Sequence, residues 1–182
     1  MKAVATAFAG VFIIEPTAFS DARGSVHENF NARRFHELTG REVRFVQENH
    51  SYSKRNVVRG LHYQLHRPQG KLVQAIAGTI FDVAVDLRRH SSTFGQWLSL
   101  ELSGGNYRQL WLPEGFAHGF FVTSEEAEVM YKMTDYWNAE DECVIAWNDP
   151  SLAIEWPLTG QQPMLSPKDM QGLSFADAPL FD

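Results

Sequence analysis

Short segments in which apolar and polar residues alternate recur along the chain, separated by Gly, Pro, Asn, Asp or Ser. In the clearest segment, TIFDVAVDL at 79–87, every second residue from Phe81 to Leu87 is apolar, and Asp82 and Asp86 lie on the other face. Similar segments follow at the spacing typical of a β-sandwich or barrel: GQWLSLEL, YRQLWL, HGFFVT and AEVMYKMTDYW. Upstream, GVFIIEP, GSVHENF and VRFVQENHSYS add further strands, so the pattern predicts an all-β protein.

Outside these strands the pattern changes in two places. The segment NARRFHELTG predicts one short helix, with Asn31 as its N-cap and Gly40 just beyond its last turn. After residue 137 the chain is rich in proline and turn residues, which indicates a C-terminal tail that wraps the strands with short helical turns. No repeat or linker marks a boundary, so we expect one domain over residues 1–182.

A turn followed by a histidine adds information about the fold. In LPEGFAHGF, His118 follows a Pro-x-Gly turn by three residues. This arrangement is similar to the second motif of the cupin double-stranded β-helix, where the turn directs the histidine into the barrel. We therefore expect a cupin jelly-roll barrel with a few short helices. A histidine at the start of a strand also occurs as a purely structural residue, so the sequence leaves both roles open for His118.

The corresponding first motif lacks the ligands of a metal-binding cupin. Those proteins have a His-x-His pair and a following Glu, whereas here His62 is followed by Gln64, and the next histidine is His66. Two strand residues four positions apart are roughly 13 Å apart, too far to share a metal bonded at about 2 Å. Lys71 lies where the acidic ligand would be needed, and its charge would repel a divalent cation. We expect no metal and no other cofactor.

Four cations lie in segments punctuated by Gly or Pro: Arg23, Arg59, Lys71 and Lys168. Fixed turns would hold such side chains around an anionic ligand, and arginine suits bidentate contact with phosphate. Each of the four could equally be a solvated surface charge. A histidine in the same pocket could carry out acid/base chemistry, because imidazole titrates close to neutral pH.

Composition narrows the possible partners. The net charge of -6 argues against nucleic acid or an anionic membrane surface, because both require a basic protein surface. The chain has no run of 18 apolar residues, and Glu15 and Pro16 end the first apolar run too early for a signal peptide. Cys143 is the single cysteine, which excludes an internal disulfide and fits a reducing compartment. We therefore expect a cytoplasmic protein that binds no nucleic acid and no membrane.

Eight motifs in collinear order carry a resemblance to a known family: FSDARGSVHENF, FVQENHSYS, VVRGLHYQ, PQGKLV, LPEGFAHGF, VMYKMTDYW, IAWNDP and LSPKD. In these motifs and their separations the chain resembles the dTDP-4-dehydrorhamnose 3,5-epimerases, a family of metal-free cupins. The resemblance implies an isomerase that inverts carbons 3 and 5 of dTDP-4-dehydro-6-deoxy-D-glucose. The product would be dTDP-4-dehydro-L-rhamnose, in the biosynthesis of dTDP-L-rhamnose.

The resemblance also implies the catalytic roles. His62 would be the base and Asp169 would orient it. Tyr131 would be the acid that returns a proton from the opposite face. Lys71 would stabilise the enolate as negative charge develops on the ketone oxygen.

Roles in substrate binding are implied in the same way. The diphosphate would be held by Arg59 and Arg23. The nucleotide or its phosphates would be contacted by Glu28, Gln47 and Asn49. The sugar and nucleotide cleft would be lined by His118, Glu142 and Lys168, and the thymine or the hexose would lie against Phe19 and Trp137.

Several alternatives stay open. Some family members invert only one carbon and keep the same His, Asp and Tyr, although the full set with Lys71 favours the double epimerase. A metal-dependent cupin enzyme and a non-catalytic sugar-binding cupin are further alternatives, and the presence of both His62 and Tyr131 argues against the latter. Because family members are usually homodimers and GVFIIEP is expected to be an unpaired strand, we expect a homodimer that binds a dTDP-sugar.

Overall fold

The computed structural model describes all residues, 1–182, and strands make up most of its regular structure. The strands are β1 (Lys2–Ala5), β2 (Phe12–Glu15), β3 (Ala18–Asp21), β4 (Gly24–His27), β5 (Gln47–Lys54), β6 (Val58–Gln64), β7 (Lys71–Ala77), β8 (Thr79–Asp86), β9 (Trp97–Ser103), β10 (Gln109–Leu112), β11 (Phe116–Val122), β12 (Glu126–Met133) and β13 (Glu142–Val144). The helices are α1 (Ala32–Thr39) and a single 3-10 turn, Asp169–Gln171.

The strands form two large sheets and a separate hairpin. One sheet has six strands in the order β1-β2-β10-β7-β12-β5, and the other has five in the order β13-β6-β11-β8-β9. Strands β3 and β4 pair only with each other. All pairings within the sheets are antiparallel, and consecutive strands repeatedly cross from one sheet to the other. This arrangement is the jelly roll of the cupins, as the sequence predicts.

Two apolar layers explain the alternation seen in the sequence. On β8, Ile80 and Ala84 belong to the cluster between the sheets. The opposite face of this strand, with Val83 and Val85, packs against apolar residues of the C-terminal tail such as Trp156. The tail therefore covers the outer face of the five-stranded sheet. Both faces of β8 are buried, and Asp82 lies on the face that is directed to the interior of the barrel.

Helix α1 has the predicted limits and covers the outer face of the six-stranded sheet. The Asn31 side chain accepts a hydrogen bond from the backbone N–H of Arg34, and Gly40 ends the helix in the left-handed conformation with φ of 68°. Phe35 is the buried residue of the helix, and its ring lies 5.2 Å from that of Trp111 in edge-to-face contact. With its eight residues α1 is the longest helix, and no helix has the length and apolarity to cross a bilayer.

The N-terminal strands differ from the sequence prediction. The expectation that GVFIIEP forms an unpaired edge strand is wrong, because β2 is hydrogen-bonded to β1 on one side and to β10 on the other. The edge strand is β1, which the sequence did not predict. An unpaired β2 therefore cannot serve as the physical argument for a dimer.

Candidate active site

An open cavity of about 450 Å³ lies between the two sheets, and most of the residues that line it are polar. Ten of the residues proposed from the sequence line this cavity: Gln47, Asn49, Arg59, His62, Lys71, His118, Tyr131, Trp137, Glu142 and Lys168. Gln69, Phe120 and Met133 complete the lining. Segments that are far apart in the chain are thus brought together by the crossing of strands between the sheets.

His62 forms a dyad with Asp169. His62 lies on β6, in register with His118 on β11 and with Val144 on β13. Its Nε2 is 2.5 Å from Oδ1 of Asp169, which stands in the 3-10 turn of the C-terminal tail and is buried. The second oxygen of Asp169 accepts a hydrogen bond of 2.8 Å from Oγ of Ser166. The carboxylate is therefore held from both sides, and Nε2 of His62 carries the proton that it accepts.

The protonation of this dyad suits a general base. Burial lowers the pKa of His62, and the Asp169 carboxylate only partly opposes this effect. Burial alone would raise the pKa of Asp169, but the hydrogen bonds from His62 and Ser166 bring that pKa below its usual value. At neutral pH the dyad is a carboxylate and a neutral imidazole, so Nδ1 of His62 is free to accept a proton.

Lys71 supplies a buried positive charge. It begins β7 and is 8% exposed, and its Nζ donates a hydrogen bond of 3.2 Å to the main-chain oxygen of His62. Burial lowers the pKa of Lys71 to about 8, although Glu142 and Asp82 partly offset the effect. The ammonium group is thus still mostly charged at neutral pH. Because the dielectric constant of a buried site is low, this charge interacts strongly with a nearby negative charge.

Tyr131 lies on the other sheet from His62. It is on β12, next to β7, and its hydroxyl accepts a hydrogen bond of 3.4 Å from Nδ2 of Asn49. Because Asn49 donates here, the phenolic proton of Tyr131 remains available. A planar molecule placed between the sheets would therefore have His62 on one side and Tyr131 on the other.

The charges around the cavity do not balance. Glu142 pairs with Lys168 at 2.7 Å, and the buried Asp82 pairs with His118, whose Nε2 is 2.6 Å from Oδ1. Asp169 is hydrogen-bonded to the neutral His62 and keeps its negative charge, but it is not part of the cavity lining. Arg59 donates only to neutral groups, Oγ of Ser53 and the main-chain oxygen of Tyr52, and Lys71 has no carboxylate partner. Two cations thus remain to meet an anionic ligand.

Three of the proposed binding residues lie outside the cavity of their own chain. Phe19 and Arg23 are on the β3–β4 hairpin, where Phe19 is 69% exposed and Arg23 is paired with Asp21 at 2.6 Å. Glu28, just after the hairpin, accepts a hydrogen bond from the side chain of Asn31. Their roles stay predictions, since a single chain does not bring them to the site.

Two further residues act on the site through His118 and Asp169, and the sequence alone did not indicate them as site residues. Asp82 is 0% exposed and holds His118 through both of its oxygens, at 2.6 and 2.9 Å. The sequence does contain one indication of this pair: Asp82 is the single acid within the apolar run IFDVAV, and a buried carboxylate needs a partner. Ser166, which holds Asp169, had no comparable sign. No group of three or more His, Cys, Asp or Glu side chains able to hold a metal occurs in the structure.

Comparison with known families places this cavity in context. The sequence profile of the dTDP-4-dehydrorhamnose 3,5-epimerases matches residues 5–177. The chain belongs to this family. The profile match spans both sheets and the tail segment that carries Asp169, and the epimerase family is a family of isomerases.

Individual relatives match the chain over nearly its whole length. The dTDP-4-dehydrorhamnose 3,5-epimerase of Pseudomonas aeruginosa is 56% identical over 181 residues, which cover 100% of this chain and 99% of that protein. The structure of a dTDP-6-deoxy-D-glucose-3,5-epimerase from Legionella pneumophila, in complex with dTDP-4-keto-L-rhamnose, superposes with a TM-score of 0.94 at 48% identity and covers 100% of this chain and 98% of that one. A 3'-monoepimerase from Streptomyces bikiniensis in complex with dTDP-quinovose gives a TM-score of 0.88 at 29% identity, covering 97% and 88%. Of these three, the two 3,5-epimerases are the more similar.

Proposed function

We propose that this protein is a dTDP-4-dehydrorhamnose 3,5-epimerase, an isomerase of dTDP-L-rhamnose biosynthesis. Relatives of that name are about half identical to it over the full chain. The observation that carries the proposal is the position of His62, bonded to Asp169 of the tail, on one sheet and of Tyr131 on the other, with Lys71 in the lining of the same cavity. An epimerase needs such an arrangement because the proton must leave one face of the carbon and return to the other.

In the proposed mechanism the ketone at carbon 4 lies beside the ammonium group of Lys71. Nδ1 of His62 removes the proton from carbon 3 or carbon 5, and the electron pair of the broken C–H bond moves to the ketone oxygen. Lys71 stabilises the enolate that results. Tyr131 then donates its phenolic proton to the opposite face of the same carbon, and exchange with water returns both side chains to their starting states.

The unpaired cations account for the nucleotide part of the substrate. Arg59 suits the diphosphate, because guanidinium binds phosphate in bidentate fashion and no carboxylate competes for it. Trp137, half exposed at the cavity, offers a flat surface to an aromatic base, and its backbone N–H is anchored by Oε1 of Gln47 at 2.9 Å.

We further propose that the protein acts as a homodimer in which each cavity is completed by the partner's β3–β4 hairpin. This explains why Phe19 and Arg23 are exposed in one chain although the family resemblance assigns them to the substrate. Phe19 and Val26 are opposite each other on the hairpin and are both 69% exposed, an apolar pair that a second subunit would bury.

Incorporation of deuterium from the solvent into the sugar tests the proposal. In deuterated buffer, dTDP-4-dehydro-6-deoxy-D-glucose should gain one deuteron at carbon 3 and one at carbon 5, measured by proton NMR. The variants His62→Asn and Tyr131→Phe serve as controls and should each abolish complete inversion. Deuterium at a single carbon would indicate a mono-epimerase, and none at either would contradict an epimerase. Activity that disappears with a chelator, together with a bound metal in elemental analysis, would instead support a metal-dependent cupin.

A further inference from the structure

Gln69 is a cavity residue to which neither the family resemblance nor the mechanism above gives a role. It precedes β7 and lies two residues before Lys71, and it is only 8% exposed. Its Nε2 donates a hydrogen bond of 2.9 Å to the main-chain oxygen of Asp135. A carbonyl oxygen can only accept, so this bond determines which end of the Gln69 amide is nitrogen and which is oxygen.

The oxygen of this amide remains without a partner in the protein. In the other two amides of the cavity, by contrast, each oxygen already accepts a bond: Oε1 of Gln47 from the N–H of Trp137, and Oδ1 of Asn49 from Gln47. No protein group donates to Oε1 of Gln69. Among the amides that line the cavity, Gln69 alone keeps a free acceptor.

The position of this acceptor is fixed by the segment around it. The N–H of Gly70 donates to Oγ1 of Thr134 at 2.8 Å, and the N–H of Thr134 donates to the oxygen of Gly70 at 3.0 Å. Gly70 also packs so closely that a Cβ there would lie 2.7 Å from the ring of Trp111. Gln69 is thus held against the end of β12 by its backbone neighbours as well as by its own side chain.

An acceptor selects a donor. Oε1 of Gln69 cannot bind phosphate oxygens or the ketone oxygen, which also accept, but it fits a hydroxyl group. Lys71, two residues further on and at most roughly 7 Å away along the chain, lines the same cavity. In the substrate of the proposed function, the hydroxyls of the hexose are at carbons 2 and 3, on the ring that carries the ketone.

We propose that Oε1 of Gln69 accepts a hydrogen bond from a hexose hydroxyl and makes the enzyme specific for sugars that carry it. This inference rests on the proposed function. It adds a specificity residue that holds the ring while protons are exchanged. When a sugar fills the cavity and excludes water, an acceptor left unpaired is unfavourable, so a sugar that lacks the hydroxyl is discriminated against.

The test compares three substrates by one readout, deuterium exchange at carbon 5: the dTDP-4-dehydro-6-deoxy hexose and its 2-deoxy and 3-deoxy analogues. For the wild type, kcat/KM should fall roughly tenfold to a hundredfold with one of the two analogues, and that analogue identifies the hydroxyl. Gln69→Met should lose a similar factor on the full substrate and should no longer distinguish that analogue from it. The matched control is Gln64→Met, because Gln64 is buried but has both ends of its amide bonded within the protein. This control should keep the discrimination of the wild type.

Two results would overturn the inference. The first is a wild type that exchanges carbon 5 of all three sugars equally well, a measurement that needs no variant to fold. The second is an equal loss by Gln69→Met on all three substrates, which would make Gln69 purely structural. Failure of the proposed function is distinguishable from both, because the wild type would then exchange nothing even on the full substrate.

Discussion

At the scale of single residues, the main conflict is between the charge of Lys71 and its burial. An ammonium group in a buried position disfavours folding, and the pKa of Lys71, lowered from 10.5 to about 8, is a measure of that cost. The same burial is what makes the charge effective beside a developing enolate. In the proposed mechanism, the buried charge of Lys71 therefore lowers the stability of the folded protein and contributes to catalysis.

Replacement of Lys71 by methionine should separate the two effects. Activity should fall by a factor of about 100 to 1000, the usual effect of removing one stabilising donor. The variant should be more stable at pH 7, by up to about 3 kcal/mol, because no charge is buried.

The pH dependence of stability provides the check. Between pH 8 and 10.5 the unfolded wild type binds more protons than the folded one, so its free energy of unfolding should rise with pH in this range. Lys71→Met should lack this rise. Urea unfolding of both proteins at pH 7, 9 and 10 measures it, and parallel pH curves would contradict a lowered pKa.

The pairing of site residues was accessible from the sequence only through the family resemblance. His62 and Asp169 are 107 residues apart, and no periodicity relates a strand residue to a turn in the tail. From the sequence, Asp82 was recognised only as a residue on the polar face of a strand. Alternation separates the two faces of a strand but does not show whether the polar face is exposed to solvent or buried. Which faces are buried depends on the tail that packs over β8.

At the scale of elements, the close approach of β6 and β11 determines the site. A Cβ at Gly119 would lie 2.7 Å from the main-chain oxygen of Arg59, and a Cβ at Gly60 would lie 2.6 Å from that of His118. Two glycines thus allow the strands that carry both site histidines to lie against each other. Separation of these strands would move His62 relative to Lys71 and Tyr131.

Gly119→Ala should therefore reduce both stability and turnover. Overpacking at a backbone contact costs about 1 to 3 kcal/mol, and the displaced strands should lower kcat more than they raise KM. Urea unfolding and steady-state kinetics measure the two effects. Gly105→Ala is the matched control, because a Cβ at this position would meet no atom closer than 3.9 Å. This variant should keep both the stability and the turnover of the wild type. A fully active Gly119→Ala protein would show that the approach is not required.

Most strands and the helix were predictable from the sequence, and three short strands were not. Helix α1 and the long strands follow from alternation, caps and turns, as the agreement at Asn31 and Gly40 shows. The sequence did not predict the strands β1, β3 and β13, which have three or four residues each. Their length alone does not explain this, because β2, β4 and β10 have four residues each and were predicted. The alternation at 127–137 continues beyond the end of β12 at Met133, where the chain turns away and brings Trp137 to the cavity.

At the scale of the whole molecule, the proposed dimer makes each site a shared one. If the cavity of one subunit uses the partner's hairpin, then Arg23→Ala and His62→Ala damage different subunits of the same site. Each variant alone has two defective sites. A mixed dimer has one site in which both the cavity and the hairpin are intact.

Subunit exchange between these variants should restore activity. Random mixing of equal amounts makes half of the dimers mixed, and one of their two sites is intact, so about a quarter of wild-type activity should return. The assay is run at substrate concentrations below KM, where loss of a phosphate contact is most visible, and sedimentation gives the oligomeric state. No recovery despite proven exchange would mean that Arg23 acts within its own chain or not at all.

The C-terminal tail, described above as the cover of the outer sheet, also decides when activity can begin during synthesis. It carries Asp169 and Ser166, which are synthesised after His62, Lys71 and Tyr131. A chain that ends at β13 would lack Lys168 of the cavity lining as well as the carboxylate that orients His62. In the proposed mechanism, proton abstraction therefore starts only when the segment beyond β13 has docked.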